Sequence, residues 1–588
     1  MTSPGLVLIE KRTTRHEGSD LITSVSGTPG KSDLDERNEA KTFVQSHAGD
    51  GTNASDQYVH GMRLVAVLFS VVIALFIVAL DQTIMSTILT TISAEFDSFS
   101  KVGWITSAYM LPMVCLAPLY GKISIAFGRK YTACVGIVVF EIGLLICALA
   151  NSMDMLIGGR VIQGLGGSAV QAMVVVIISE AVPINKRPQA MTLIGTTFSI
   201  ASVCGPFVGG AFTTHVTWRW CFYINLPLGA IALTLLLLVF HPPRPQGNLK
   251  TKLSKIDYLG TFLIASGLVL VLLAVTFGGN EYPWRSGAII SLFTTGGAIL
   301  AVFVYYNFFV STSPLILKEF VTSAQVMASA FAAFLNFAYF MSLETYLAIY
   351  FQVIYNASAW QSGVYLLPLV VTVSVASVVN GFFIKFTSYT KISMMISGVL
   401  SPIGVGILLL LGTHASTGTR IGLLIPAGIA VGLSFQTTLL SAQLKAPGHV
   451  PGSMILVITF VNFMRTLGGV IGVIMSQLML MERGTNYITE AIRTHPQYTA
   501  LAYVPAKTFL SSPKAIWLLP SEARDLVLDS FMKALNDVFY LNLAFACLMF
   551  VAACFTTNRR IPKANQIAHA KENGEECSVV EYVELGSD

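Results

Sequence analysis

Leu64-Val65-Ala66-Val67-Leu68-Phe69-Ser70-Val71-Val72-Ile73-Ala74-Leu75-Phe76-Ile77-Val78-Ala79-Leu80 carries no charge, and only Asp81 ends the run. Continued to residue 90, this block is long enough to cross the roughly 30 Å hydrocarbon core of a bilayer as a helix. Similar blocks recur near 104–120, 131–150, 154–181, 189–212, 221–240, 259–277, 287–310, 328–352, 360–384, 393–412, 420–443, 452–481 and 538–556. Fourteen spans define an all-α polytopic membrane protein. Composition agrees, since only 11% of the 588 residues are charged and 54% are hydrophobic, against about a quarter charged in soluble domains. A net charge of +5, spread over short loops, gives no support to a nucleic-acid surface.

An even number of spans places both termini on one side. The short loops on that side hold thirteen basic residues: Lys122, Arg129, Lys130, Lys186, Arg187, Arg244, Lys250, Lys252, Lys255, Lys318, Lys385, Lys391 and Lys445. The short loops opposite hold four, Lys101, Arg219, Arg285 and Arg420. That bias puts both termini in the cytoplasm, with 482–537 as a long outer loop. Residues 1–62 are polar and poor in aromatics, as in a disordered tail, and 557–588 form a second cytoplasmic tail. Leu6 to Ile9 is too short for a secretory signal, so the first span is expected to serve as the uncleaved targeting signal. Within the N-terminal tail, 27–32 imitates the end of a phosphate-binding loop, but Val25 stands where the first glycine belongs. Seven cysteines fall in apolar blocks and Cys577 in the tail, with no metal or disulfide pattern.

Trp104-x4-Tyr109-x-Leu111-Pro112 opens the second span and Trp360-x4-Tyr365-x-Leu367-Pro368 the tenth. An offset of eight fits two six-span halves, 63–240 and 313–556, joined by 241–312 with two inserted spans; transporters are often built from such repeats, with substrate held between the halves.

Ionisable groups at bilayer depth are costly and invite a functional reading. Asp81 and Arg160 lie at nearly the same depth on spans one and four. They form either a permanent structural pair or one that a proton breaks during transport. Glu141, near the midplane of span three, and Glu344 on span nine are further proton-site candidates. Span four puts Arg160, Gln163, Gly164 and Gly167 on one face, and span thirteen does likewise with Asn462, Arg465, Gly469 and Gly472. Gln163, Asn462 and Arg465 are therefore candidates for a cavity face. Span five carries Gly195 and then Gly205-Pro206-Phe207-Val208-Gly209-Gly210, a segment that should bend or pack tightly.

Taken together, these segments resemble the major facilitator superfamily, and within it the fourteen-span drug:proton antiporters, particularly fungal efflux pumps for toxins and secondary metabolites. Leu80-Asp81-Gln82-Thr83-Ile84 is similar to the family's first-span motif. Gly121-Lys122-Ile123-Ser124-Ile125-Ala126-Phe127-Gly128-Arg129-Lys130 is similar to its gate-loop motif after span two. Arg160 to Gly167 resembles the fourth-span motif, whose Arg the resemblance ties to proton coupling. Gly205-Pro206-x-x-Gly209-Gly210 resembles the antiporter motif, and Trp218-Arg219-Trp220 to Gly229 resembles a fourteen-span signature. One departure stands out: the gate loop usually carries an Asp where this chain has Ile125, so another acid substitutes or the gate is looser.

The resemblance implies a proton-coupled exporter of a small hydrophobic molecule working by alternating access, with the proton gradient as energy source and no cofactor. It also implies a monomer in the lipid of the plasma membrane, or of a vacuole or vesicle. Alternatives are a vacuolar importer of basic amino acids, a siderophore carrier, or a receptor or integral enzyme outside transport; no H-E-x-x-H enzyme motif is present. With 36 Phe and 20 Tyr and few fixed charges, the cavity is expected to be apolar and aromatic. The sequon at Asn356 is a glycosylation candidate close to the membrane, and the one at Asn53 should face the cytoplasm.

Overall fold

The computed structural model describes residues 50–561, apart from 51, 53, 97, 99–100, 246–247, 280–281, 449, 496–505 and 512. Residues 1–49, with the phosphate-loop imitation, Asn53, Cys577 and nearly all of 557–588 therefore lie outside the described residues.

Fourteen helices among the described residues are long and apolar enough to cross a membrane, and the chain is an integral membrane protein. They are α1 (Gly61–Glu95), α2 (Val102–Phe127), α3 (Arg129–Ala148), α4 (Met153–Ala181), α5 (Arg187–His215), α6 (Asn225–Val239) and α7 (Tyr258–Phe277). There follow α8 (Gly287–Tyr305), α9 (Ala324–Ile354), α10 (Ala359–Thr387), α11 (Thr390–Gly406), α12 (Thr417–Phe435), α13 (Ser453–Thr494) and α14 (Ser521–Cys554). A short helix, Trp220–Tyr223, leads into α6, and another, Thr437–Gln443, extends α12. Local chemistry marks the starts. Ser152, Ser286, Ser323 and Ser416 each accept from an amide in the first turn, and Ser358 forms a reciprocal box with Gln361, satisfying donors that the helix itself leaves unpaired.

Packing repeats with an offset of eight helices. The contacts α1–α5, α2–α4, α3–α4, α1–α6 and α3–α6 have counterparts in α9–α13, α10–α12, α11–α12, α9–α14 and α11–α14. The halves then meet through two equivalent seams, α2 with α13 and α5 with α10. The inserted pair stays outside: α8 has 17% of its apolar window buried within the protein, against 83% for α4. α7 leans on α2, where the Trp104 and Phe277 rings lie 4.7 Å apart.

Three boundaries differ from the sequence reading. The N-terminal tail does not run loose to residue 62: Asp50 and Gln57 are buried, and the Val59 amide donates to the Ala181 carbonyl at 3.0 Å. The gate motif after span two is mostly helix, because α2 continues to Phe127 and a single glycine, Gly128 at φ +97°, makes the turn into α3; only glycine enters that region cheaply. The segment 482–537 is no open loop, since α13 runs on to Thr494 and α14 starts at Ser521. Gly484, Ile488 and Ile492 are buried there at a spacing of four, so one apolar stripe keeps the extension folded against its neighbours.

Both described ends lie on one face, called here the tail side. The first residues touch the end of α4, and the Ile561 amide donates to Ser388 in the turn between α10 and α11 at 2.8 Å.

Candidate functional site

α1 and α4 bring Asp81 and Arg160 together inside the N-terminal half. Arg160 Nη1 lies 2.6 Å from Asp81 Oδ2, with both side chains buried. The same nitrogen donates to Gln163 Oε1 at 2.7 Å, Nε points to the Ile105 carbonyl at 3.3 Å, and the guanidinium sits 4.2 Å above the Tyr109 ring. The contacts to Ile105 and Tyr109 depend on α2 lying close to α4. Gly164 permits that approach, because any Cβ there would enter the Tyr109 backbone. Gln163 is thus held by Arg160 through Oε1 and packed against Gly143 of α3.

Beside this pair the halves enclose a small space of about 30 Å³. From the N-terminal half it is lined by Gln82, Met110, Met113, Gln171 and Phe198, and from the other half by Phe337, Met341, Thr466, Gly469 and Val470. Asn462 and Arg465 are not among them, which corrects the cavity-face reading. Arg465 turns sideways, donating to the Phe435 carbonyl at 2.9 Å and lying 3.9 Å from the Phe435 ring and 4.5 Å from that of Phe337. A buried guanidinium takes whatever acceptors its neighbours provide, and here those lie between helices. Apart from Gln82, next to Asp81, and Gly469, none of the lining residues stood out in the sequence: a Phe or Met aimed at a cavity looks like one aimed at lipid.

Toward the tail side the space is shut. Phe198 of α5 packs against Phe337 and Phe435, with ring centroids at 6.3 and 5.9 Å. Below them Arg187 Nη1 reaches Gln443 Oε1 at 3.3 Å, and Gln443 Nε2 reaches Ser179 Oγ at 3.3 Å. Gly121 of α2 sits directly against Thr459 of α13. Nearby, Arg129 pairs with Glu180 through Nε at 2.7 Å and Nη2 at 3.0 Å, and through Nη1 with Asp50. Lys130 turns away to the Leu237 carbonyl at 2.7 Å.

α5 is wedged between the two halves by its glycines and proline. Gly205 and Gly209 face Thr83 and Thr87 of α1, whereas Gly195 faces Ser377 of α10 and Pro206 meets Gly363 of α10. Gly210 differs, since a Cβ there would meet nothing within 4 Å. On the far side, Trp218 donates to Glu95 at 2.6 Å and Arg219 pairs with it at 2.9 Å. Burial works against the charge on Glu95, yet the hydrogen bonds from Trp218 and Arg219 outweigh it and hold the carboxyl below its usual range.

The remaining candidates are scattered. Glu141 packs into the groove between α3 and α6 against Gly229, and the structure does not bring it to the Asp81–Arg160 pair. Glu344 lies near Ser202 of α5, across the divide between the halves. Asn356 is exposed with φ +49°, while Ser358 of its sequon is engaged in the cap of α10.

Two six-helix halves around a central space, with a buried ion pair beside it and one side sealed, define a secondary transporter. The chain belongs to the Major Facilitator Superfamily, whose family model matches residues 71–473. It is 35% identical over 512 residues to the efflux pump hmp6 of Hypomyces subiculosus, covering 85% of this chain and 88% of that one. It is also 32% identical over 564 residues to the vacuolar basic amino acid transporter 5 of Saccharomyces cerevisiae, covering 88% and 95%. Among solved structures, a bacterial homologue of the human lysosomal transporter Spinster, inward-facing and occupied, superposes with a TM-score of 0.52 at 14% identity, covering 85% of this chain and 98% of that one. That likeness concerns the fold.

Proposed function

We propose that the protein exports a hydrophobic small molecule, such as a fungal secondary metabolite, toxin or drug, in exchange for protons. The observation that carries this reading is the buried Asp81–Arg160 pair one residue away from Gln82 on the cavity wall. A proton on Asp81 cancels one half of that pair next to the substrate space, which couples charge to the fit of α1 against α4. Similarity to efflux pumps over most of the chain supports the direction of transport. The space of about 30 Å³ holds little more than a water, whereas drug-sized ligands need roughly 300 Å³ or more. Substrate therefore enters only when the halves separate.

In energised vesicles, substrate movement should collapse on adding a protonophore and persist with vanadate. Vanadate sensitivity would point to an ATP-driven pump instead. The vacuolar transporter among the relatives supports a second reading, import of basic amino acids into a vacuole, which competition by lysine or arginine in the same vesicles would reveal.

The thirteen-to-four distribution of basic residues in the short loops supports a cytoplasmic tail side, in a monomer of the plasma membrane. A cysteine placed near residue 30 should resist an impermeant reagent in intact cells; efficient labelling would reverse the orientation.

A further inference from the structure

Residues 121–130, the turn that positions Arg129, contain no acidic residue, and Ile125 packs half-buried against the core. Arg129 is nevertheless among the most buried large side chains of the protein. Glu180 occupies one edge of its guanidinium, and Asp50 takes the other, with both members of the second pair at most 1% exposed. Asp50 is itself held in place. The Thr52 amide donates to its Oδ1 at 3.0 Å, the Thr52 hydroxyl at 2.5 Å, and Gln57 Nε2 supports that hydroxyl at 2.9 Å. This leaves Oδ2 to face Arg129.

The contact extends further. Arg187 donates to the Val182 carbonyl just beyond α4 at 3.5 Å and, across the seam, to the Met454 sulfur at 3.7 Å and to Gln443, whose Nε2 reaches Ser179 beside Glu180. Asp50, Arg129 and Glu180 thus form one charged cluster, which hydrogen bonds through Ser179, Gln443 and Arg187 continue from the N-terminal segment through α3, α4 and α5 to the opposite half. Removing one member of such a cluster strands the remaining charges out of water.

We propose that Asp50 is a positioning residue of the tail-side gate: docking of the segment before α1 on Arg129 keeps Glu180 and Arg187 aimed at the seam and holds that side closed. The segment before the first span then serves as a latch within the transport cycle, released each time the tail side opens. This rests on the transport reading, but its test does not, because gate closure is measured without substrate or gradient.

The test is hydrogen exchange of the full chain in lipid nanodiscs, comparing native protein with Asp50→Asn and Asp50→Glu. In Asp50→Asn, amide exchange in 176–190 and 440–458 should rise by roughly tenfold or more, with the far-side segments 90–96 and 216–220 unchanged. Asp50→Glu keeps the carboxylate and should stay near native. Should Asp50→Asn fail to give monodisperse protein, Thr52→Ala, which loosens the turn presenting Asp50 and leaves Arg129 untouched, should produce the same pattern at smaller amplitude. Native protection of both tail-side segments in the Asp50→Asn protein, or in Thr52→Ala where it replaces it, would overturn the proposal. So would equal loss of protection by Asp50→Asn and Asp50→Glu, since the site would then respond to shape and not to charge.

Discussion

Asp81→Asn, reconstituted under an imposed pH gradient, should still bind substrate and exchange it but no longer concentrate it. The side chain is an isostere of the protonated acid, so Arg160, 2.6 Å away, meets the same neutral partner in every state of the cycle. A proton can drive transport only through a differential effect on two conformations, and this variant removes the difference. If one proton is exchanged per substrate, each unit of pH gradient is worth up to roughly a tenfold accumulation; the variant should settle at equal concentrations on both sides. Arg160→Ala should be worse, because it strands the Asp81 carboxylate in the bundle and takes away the partner of Gln163 and the cation above Tyr109. Breaking a buried pair by deleting one member costs about 3–5 kcal/mol, so lower yield should accompany lost transport. Normal proton-driven accumulation by Asp81→Asn would exclude this pair from coupling. Glu344, placed between the halves against Ser202, would then have a better claim than Glu141, which the structure places between α3 and α6.

Gly205→Leu and Gly209→Leu should each abolish transport while the protein still reaches the membrane. Even a Cβ at these positions would drive into Thr83 and Thr87 of α1, and the Thr83 hydroxyl that bonds the Ala201 carbonyl at 3.0 Å would be displaced. Helices in a bilayer associate by close approach over small residues, with no hydrophobic drive to offset a lost fit, and overpacking alone costs about 1–3 kcal/mol. Because α5 also touches α10 through Gly195 and Pro206, pushing it off α1 disturbs the seam between the halves as well. The same change at Gly210, where an added Cβ has open space, should cost far less. Transport assays paired with surface quantification decide the matter, and full activity of both Gly205 and Gly209 variants would show that the α1–α5 contact carries no function.

Much of the architecture lies in local pattern. Blocks of about twenty apolar residues specify the spans, because hydrocarbon thickness leaves the chain little choice of length. The Trp-Tyr-Leu-Pro echo at 104 and 360 marks the two halves that pack alike. Similar depth on two helices is enough to make Asp81 and Arg160 plausible partners. Depth and period are properties of a single helix, and they stop there. How each helix is turned about its axis, and which neighbour it meets, depends on packing against segments scores or hundreds of residues away. For that reason the sequence made Gln163, Asn462 and Arg465 look like cavity residues, whereas packing turned Gln163 onto Arg160 and Arg465 onto the Phe435 carbonyl and brought Thr466 and Gly469 to the central space. The acid facing Arg129 was beyond reach for the same reason. Asp50 stands 79 residues away in a stretch whose composition reads as unstructured, and only a folded surface carrying the buried Arg129–Glu180 pair gives that stretch something to bind.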